Sequence, residues 1–358
     1  MDTEHSIMRL GDGIRPRMHS YYDVCPESPD GTRLLTSAFD GPVPGPAQVV
    51  LSRIDGGDER VLSDSQEAIG HVGRFALWLD DHTVAMRAEM PDDGAAGWCT
   101  LDLVSGATAT LPGHLRQWHI GRDRGLVQVH GGLANPQRLL QGIEVVNRAG
   151  TVINAFDVAH ARAVHPQSDS LPPSEHLNFM NSKWDPAGER FFVVFTDEVY
   201  RRTHGLGMEG RFKCLMVAGA QGEAVRFLGD FTHHPHWWPD GSGVIALWQD
   251  SPNQDLVVYD IDNGKRSVVS SGLEGIHATI TPDCRHVIID QQIGQDRCHI
   301  VQRNLSSGSD TMVASFAHTR WNHRDGHHPH PVLSRDGTRI YVNGEDAGVC
   351  QVYVFALE

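Results

Sequence analysis

A short turn that contains aspartate, often followed by glycine, recurs along the chain and constrains its fold more than any other feature. Full copies are Ser28-Pro29-Asp30-Gly31, Trp238-Pro239-Asp240-Gly241 and Ser334-Arg335-Asp336-Gly337, and shorter copies contain Asp80, Asp123, Asp185 and Asp283. Most copies precede a short apolar run, and a second apolar run usually follows after a polar stretch. Short strands between such turns, with roughly fifty residues per repeat and little helical periodicity, are typical of a β-propeller.

These repeats predict an all-β protein with one seven-bladed β-propeller domain that spans residues 1–358. Seven turns in 358 residues correspond to about 51 residues per blade, which suits a four-stranded antiparallel meander. The final apolar run, residues 352–357, is the third strand of its repeat. We therefore expect an N-terminal segment near residues 14–18 to complete the last blade, or that blade to keep three strands. The turn and the strand after it resemble the repeat of TolB-like propellers over nearly the whole chain.

Composition and charge exclude several classes of partner. The formal net charge of −15 argues against nucleic acid and anionic membranes. No apolar stretch reaches the roughly 18 to 20 residues that span a bilayer, and the polar N-terminal sequence lacks a secretion signal. The six cysteines show no paired spacing, which indicates thiols in a reducing compartment. We expect a cytoplasmic protein without nucleic-acid or membrane partners, and its oligomeric state stays open.

Histidine is over-represented, with 22 residues, and several histidines occupy equivalent places in the repeat. His234, His277 and His330 each lie six residues before the aspartate of a turn, and His328 lies two residues before His330. The first strand of each propeller blade lines the central channel, so side chains at the starts of these strands converge. His19 and His176 precede their turns at comparable positions. A ring of imidazoles around one channel is the expected result.

Neutral imidazole is the commonest protein ligand for divalent transition metals. We predict that His234, His328 and His330 bind Mn²⁺, Fe²⁺ or Zn²⁺, with an oxygen of Asp325 as a fourth ligand. Such a site keeps room for a substrate oxygen. The alternative is a set of histidines that form hydrogen bonds across the channel and order water.

Three segments resemble motifs of the oligogalacturonate lyases. His234-Pro235-His236-Trp237-Trp238-Pro239-Asp240-Gly241 resembles that family's H-E-F-W-x-P-D-G segment, and His328-Pro329-His330-Pro331 with Ser334, Asp336 and Gly337 resembles its H-P-H-P-x-F-S-P-D-G segment. His176-Leu177-Asn178-Phe179 with Asp185-Pro186 is similar to its H-x-Q-F-x-P-x-D-P segment, although the spacing is two residues longer. The resemblance implies a seven-bladed propeller that cleaves pectic fragments by β-elimination. It also implies Mn²⁺ bound by three histidines, here His234, His328 and His330, and a glutamine.

The chain departs from these motifs at two positions. Asp325 stands where the family has the glutamine, and Pro235 stands where it has the glutamate of H-E-F-W. The family uses an arginine in proton abstraction, and Arg211 is its nearest match here. The reaction removes the proton on C5 of a uronate, next to the carboxylate, and expels the substituent on O4. A base must reach that proton, so we predict His176 and Arg211 as catalytic residues without deciding which is the base.

The resemblance implies an anionic, uronate-containing oligosaccharide as substrate. A glucuronate-linked chain is an alternative, because His19-Ser20-Tyr21-Tyr22-Asp23 is similar to segments of other propeller lyases. A second alternative is a non-catalytic TolB-like binding platform with structural histidines. The glycine-containing insertion at residues 196–211 is either a lid over the substrate or a tolerated surface loop.

Overall fold

The structure, a computed structural model, describes residues 7–68, 70–89, 96–129, 142–222, 225–230, 233–248, 254–294, 296–317 and 327–357. Within these residues the protein is mostly antiparallel β-structure, with two short α-helices. The chain divides into two compact units. The terminal unit contains Met1–Met86, Thr100–Ala107 and Glu274–Glu358, and the central unit contains Arg87–Cys99 and Thr108–Leu273. The prediction that residues 1–358 form one domain stays a prediction.

The N-terminal part of the chain forms ten strands. They are β1 (Ile7–Leu10), β2 (Arg17–Met18), β3 (Arg33–Phe39), β4 (Gly45–Arg53), β5 (Arg60–Val61), β6 (Gln66–Ala68), β7 (Ala76–Trp78), β8 (Thr83–Glu89), β9 (Ala96–Asp102) and β10 (Thr108–Pro112). In the terminal unit, β2 to β5 form a meander, and β6 pairs with the free end of β4. β7 pairs with β8 from Ala76↔Met86 to Trp78↔Val84.

The central unit contains three meanders of four sequential antiparallel strands. The first is β11 (His114–His119), β12 (Arg124–Val129), β13 (Gly142–Asn147) and β14 (Val152–Asp157), followed by α1 (Val158–Val164). The second is β15 (Asn178–Trp184), β16 (Arg190–Thr196), β17 (Lys213–Gly219) and β18 (Arg226–Asp230), with α2 (Glu198–Thr203) between β16 and β17. The third is β19 (His233–Trp237), β20 (Gly243–Trp248), β21 (Asp255–Asp260) and β22 (Arg266–Ser270).

Strand β16 explains how these sheets stack. Its alternate residues Phe191, Val193 and Phe195 pack into the core on one face of the sheet. Phe192 and Val194 pack on the other face, against Trp237 and Val244 of the next meander. A strand that is apolar on both faces requires a sheet on each side, because side chains alternate between the faces. The continuous run Phe191–Thr196 therefore belongs in the middle of a stack of sheets.

The C-terminal part of the terminal unit contains the remaining strands, β23 (Ala278–Ile280), β24 (His286–Ile293), β25 (Arg297–Asn304), β26 (Asp310–Ala317), β27 (Val332–Leu333), β28 (Arg339–Asp346) and β29 (Val349–Ala356). They form two meanders, β23 to β26 and β27 to β29, which one residue pair, Ala317↔Glu345, joins into a larger sheet. Strand β1 completes the second meander by pairing with β29, from Ile7↔Phe355 to Leu10↔Val352.

The predicted completion by an N-terminal strand is confirmed, but the expected residues near 14–18 were wrong. Leu10 is 2 % exposed and packs with Val352 and Val354, whereas Ile14 is 80 % exposed. The carboxylate of Asp12 accepts hydrogen bonds from the backbone N–H groups of Ile14 and Arg15, so the chain turns there. β2 then pairs with β3 instead.

The aspartate turns predicted from the sequence form as expected. In the turn before β28, Asp336 Oδ1 accepts hydrogen bonds from Ser334 Oγ at 2.6 Å and from the N–H of Thr338 at 3.0 Å. These bonds lower the pKa of Asp336 to about 2. Gly337 adopts φ +72°, a left-handed conformation that glycine tolerates without strain. Aspartate and glycine at these positions thus produce the turn for local reasons.

Two further findings concern the whole described chain. Among the described helices, none has the length and apolar character that crossing a bilayer requires. All six cysteines lie in described segments, and no disulfide joins them.

Candidate metal centre and catalytic cavity

The segment that precedes β27 places two histidines in the interior of the terminal unit. His328 and His330 are 1 % and 0 % exposed. Between them, the carbonyl of Pro329 accepts the backbone N–H of Asn343 at 2.8 Å. The Asn343 side chain donates to the carbonyl of His328 at 3.1 Å and accepts the N–H of His19 at 2.9 Å. Asn343 thus holds the segments of three histidines in place.

His330 departs from the extended strand that the sequence predicted for this segment. Its φ is +47°, in the left-handed region that is uncommon for residues other than glycine, although histidine adopts it more often than most. The two imidazoles still converge, with ring centroids 5.4 Å apart. A left-handed, non-glycine residue at a candidate site is a form of strain that commonly accompanies function.

Two more histidines join this pair. Nitrogen atoms of His71, His328 and His330 all lie within 4.8 Å of one another. The ring of His277 lies 4.3 Å from that of His330 and 5.5 Å from that of His328, measured between centroids. We call His71, His277, His328 and His330 the imidazole cluster. The ring of Tyr21 contacts it edge-on, 5.0 Å from His330.

His277 is held by a buried carboxylate. Its Nδ1 lies 2.7 Å from Asp290 Oδ2, and both side chains are fully buried. The backbone N–H of His277 donates to Asp290 Oδ1 at 2.8 Å. Asp290 lies on β24 and His277 just before its neighbour β23, so the hairpin places the two side chains together.

The surroundings of His330 in the cluster, and of His19 beside it, favour neutral imidazoles. Burial, followed by the neighbouring rings of His277, His71, His328 and His19, lowers the pKa of His330 well below its ordinary value. Burial likewise lowers the pKa of His19 to about 4. Within the described chain, neither ring nitrogen of His330 has a hydrogen-bond partner. Buried nitrogen atoms that stay neutral and lack a donor are suitable ligands for a divalent transition metal, so the residues present fit one.

The structure brings together some of the predicted ligands and leaves others untested. His328 and His330 lie side by side. Asp325 lies outside the described residues. His234 is the second residue of β19 in the central unit, with φ +49°, and its role as a metal ligand stays a prediction.

The predicted ligand set did not contain His277 or His71. His277 shares the register of six residues before an aspartate, so the sequence carried a signal for it. His71 lies between β6 and β7, nine residues before Asp80, and no pattern in the sequence marked it.

A separate cavity of about 850 Å³ lies in the central unit, and Arg211 lines it. Arg201 and Lys213 also line this cavity, together with the carboxylates of Asp197 and Asp230. Arg211 Nη2 donates to His233 Nε2 at 3.1 Å. We call this the basic cavity. Its guanidinium and ammonium groups are donors that suit a carboxylate.

Buried Glu198 organises the cations of the basic cavity. Its carboxylate lies 2.7 Å from Arg202, 3.5 Å from Lys213 and 3.7 Å from Arg211. Burial acts to raise the pKa of Glu198, but Lys213, Arg202 and Arg211 together hold it below its ordinary value. Burial lowers the pKa of Lys213 to about 8, against the pull of Glu198. Glu198 thus contacts three cations, and Asp197 and Asp230 add two further carboxylates to the lining of the cavity.

The insertion at residues 196–211 is folded. Arg201 donates to the carbonyls of Gly207 at 2.8 Å and Glu209 at 2.7 Å, which ties the end of the loop back to α2. His176, the second predicted catalytic residue, stacks on Tyr200 of α2 with ring centroids 3.6 Å apart. His176 is not among the described residues that line the basic cavity. Its catalytic role, like that of Arg211, stays a prediction.

Fold and site together define a β-propeller protein with a buried imidazole cluster. No known family model matches the chain, and no curated protein matches it. A solved oligogalacturonate lyase in complex with manganese is 16 % identical, with a TM-score of 0.67 over 100 % of this chain and 94 % of that one. The oligogalacturonate lyase of Vibrio parahaemolyticus is 13 % identical, with a TM-score of 0.66 over 100 % and 95 %.

A third match is the β-propeller domain of the trilobed protease of Pyrococcus furiosus. It is 10 % identical, with a TM-score of 0.58 over 95 % of this chain and 97 % of that one. At these identities the matches establish the fold. The predicted β-propeller class, and the resemblance to oligogalacturonate lyases at the level of the fold, are confirmed.

Proposed function

We propose that this protein is a metal-dependent lyase that cleaves uronate-containing oligosaccharides by β-elimination, on a seven-bladed propeller. One observation carries the proposal: a cluster of four imidazoles, three of them buried and one with a strongly lowered pKa, in a fold that oligogalacturonate lyases share. A fold alone hosts many functions, so the weight rests on the cluster. The proposed cellular location is the cytoplasm.

His71, His328 and His330 would bind the ion, with His277 beside them; His234 and Asp325 stay proposed as further ligands. Mn²⁺ is the proposed metal, since one of the matching lyases is described in complex with manganese. A bound divalent cation supplies Lewis-acid stabilisation of negative charge that develops on a carboxylate. His330 contributes an imidazole that burial and its neighbours keep neutral by lowering its pKa, on a segment that Asn343 holds in place.

The elimination transfers the C5 proton to a base, forms the C4–C5 double bond and breaks the bond from C4 to O4, and the departing oxygen takes up a proton. Arg211 and His176 are proposed to share the proton transfer and the stabilisation of negative charge. Arg211 lines the basic cavity, where its guanidinium is positioned by Glu198 and His233. Guanidinium binds carboxylates through two parallel N–H groups, which suits a uronate.

The test is the ultraviolet absorbance of the unsaturated uronate product. The purified protein would be incubated with oligogalacturonides and with glucuronate-linked oligosaccharides, first with Mn²⁺ and then with a chelator. We expect a rise in absorbance that the chelator abolishes and that His328→Ala loses. His299→Ala is the matched control, because His299 lies on β25 of the same unit and outside the cluster.

The outcomes separate the candidate functions. A rise with glucuronate-linked chains alone would move the substrate to that class. Protein that binds metal stoichiometrically but produces no unsaturated uronate from either substrate would contradict the lyase. Protein that binds no metal and cleaves neither substrate would favour a binding platform.

A further inference from the structure

Asp290 lies behind the imidazole cluster and has no part in the predicted ligand set. Both of its oxygen atoms are engaged: Oδ2 with the His277 ring at 2.7 Å, and Oδ1 with the backbone N–H groups of His277 at 2.8 Å and Ile276 at 3.3 Å. The side chain has no exposed surface. A carboxylate held in this way has a fixed orientation relative to the imidazole.

The backbone just before His277 packs closely against β24. Gly275 approaches β24 so closely that a Cβ there would lie 2.4 Å from Ile289 Cγ1 and 2.6 Å from the carbonyl oxygen of Asp290. The ring of Tyr22 lies 5.3 Å from that of His277. The hydrogen bond to Asp290 and this neighbouring ring together restrict rotation of the imidazole away from Asp290.

We propose that Asp290 is a positioning residue: it keeps the proton of His277 on Nδ1 and presents Nε2 toward His328 and His330 as a metal donor. The geometry supports this because a carboxylate that accepts from Nδ1 leaves the lone pair on Nε2, on the opposite edge of the ring. Ligating histidines commonly donate their other N–H to a carboxylate, and loss of that partner costs about 10- to 100-fold in metal affinity. The inference rests on the metal site of the proposed function.

A second reading is a buried pair that serves stability alone. It predicts that removing the carboxylate lowers the unfolding midpoint without a selective effect on metal. The two readings differ in the tautomer of His277, which is measurable without any metal. They also differ in metal affinity per folded molecule.

The first measurement is the nitrogen chemical shifts of the His277 ring in metal-free wild-type protein, by NMR. We expect protonated Nδ1 and unprotonated Nε2. Protonated Nε2 would overturn the proposal. This measurement uses only the wild-type protein, so it does not depend on whether a variant folds.

The second measurement is Mn²⁺ affinity by calorimetry for wild type, Asp290→Asn and Asp310→Asn. In Asp290→Asn the amide can donate to Nδ1 and so move the proton to Nε2, and we expect a loss of about 10- to 100-fold. Asp310→Asn is the control, because Asp310 forms a bidentate pair with Arg303 in the neighbouring strands and contacts no histidine of the cluster. We expect its Mn²⁺ affinity to equal that of wild type, and Asp290→Glu to restore part of the loss.

Failure of the inference and failure of the proposed function give different results. If wild type and Asp290→Asn bound Mn²⁺ with equal affinity, the proposed role of Asp290 would be wrong, but the metal site would stand. Wild type that binds no divalent metal would overturn both.

Discussion

The imidazole cluster and the basic cavity are both polar sites within β-structure, but the first offers neutral lone pairs and the second offers charged N–H groups. In the cluster, burial and neighbouring rings keep His330 neutral, so its nitrogen atoms offer lone pairs. In the cavity, Arg211 and Lys213 keep close to a buried carboxylate and offer N–H groups. Lone pairs suit a cation and N–H groups suit an anion. A lyase that acts on uronates with the help of a metal needs both kinds of site.

The comparison also separates two costs of burial. Burying a neutral imidazole costs little desolvation free energy. Once the solution is acidic enough to protonate the imidazole in the unfolded chain, however, its burial lowers the stability of the fold. A buried ion pair costs more to desolvate and requires its partner at every pH. Glu198 meets this requirement with three cations, and removal of any one leaves two.

The largest expected effect is the loss of turnover when Arg211 of the basic cavity is replaced. Arg211→Ala should lower turnover of a uronate oligosaccharide by about 10²- to 10³-fold, the cost of losing one donor to developing negative charge. Mn²⁺ affinity should stay unchanged, since Arg211 is not among the proposed metal ligands. Steady-state kinetics and calorimetry on the same preparation measure the two quantities.

Arg202→Gln is the matched control for Arg211→Ala. Arg202 contacts the same Glu198 oxygen pair, but 54 % of its side chain is exposed and it does not line the described cavity. We expect its turnover to equal that of wild type. If Arg211→Ala lowered turnover by less than tenfold, Arg211 would have no part in the reaction. The basic cavity would then not be the site that binds the anionic substrate.

The next largest effect is the loss of folding stability in acid that the buried His19 causes. The folded pKa of His19 is lowered to about 4, whereas the unfolded value is the ordinary 6.5. As the pH falls below 6.5, His19 becomes protonated in the unfolded chain but stays neutral in the folded chain. The free energy of unfolding therefore decreases between pH 6.5 and 4. The difference of 2.5 pH units corresponds to about 3 kcal/mol. Glu198 responds at lower pH, because its folded pKa lies below the ordinary 4.5.

Denaturant unfolding of metal-free protein at pH 7, 6 and 4.5 tests this. His19→Gln should lose less stability than wild type over this range, while the backbone bond from residue 19 to Asn343 is kept. His299→Gln serves as the control and should follow wild type. Parallel curves for wild type and His19→Gln would show that burial of His19 is not the source of acid sensitivity.

The sequence predicted what depends on local chemistry. The turn at Asp336 forms because serine, aspartate and glycine make its bonds without help from elsewhere. His328 and His330 were expected to converge because they carry a motif and a register, and their rings lie close together. His71 was missed because its place in the cluster depends on a loop between β6 and β7, and loop paths leave no periodic signal. Glu198 was missed for a related reason: its partners Arg211 and Lys213 follow at the end of the insertion, and only its fold brings them back.

The closure of the last meander shows the same limit. Completion by the N-terminus followed from a count of strands, but the choice of Ile7–Leu10 depended on which segment could be buried against Val352 and Val354. That choice is a tertiary contact between residues more than three hundred positions apart. Burial, not propensity, decided it.

The smallest expected effect tests how the cavity distributes charge. Arg202 and Glu198 form an i, i+4 pair on α2, at 2.7 Å, with the arginine half in solvent. An i, i+4 ion pair on a helix contributes about 0.3 to 0.5 kcal/mol, and here water screens the exposed guanidinium, which also loses side-chain entropy. Arg202→Gln should therefore lower the free energy of unfolding by that amount, and high salt should remove the difference. A cost well above 1 kcal/mol would mean that Arg211 and Lys213 cannot hold the Glu198 carboxylate without Arg202, and that the cavity has no positive charge to spare for a ligand.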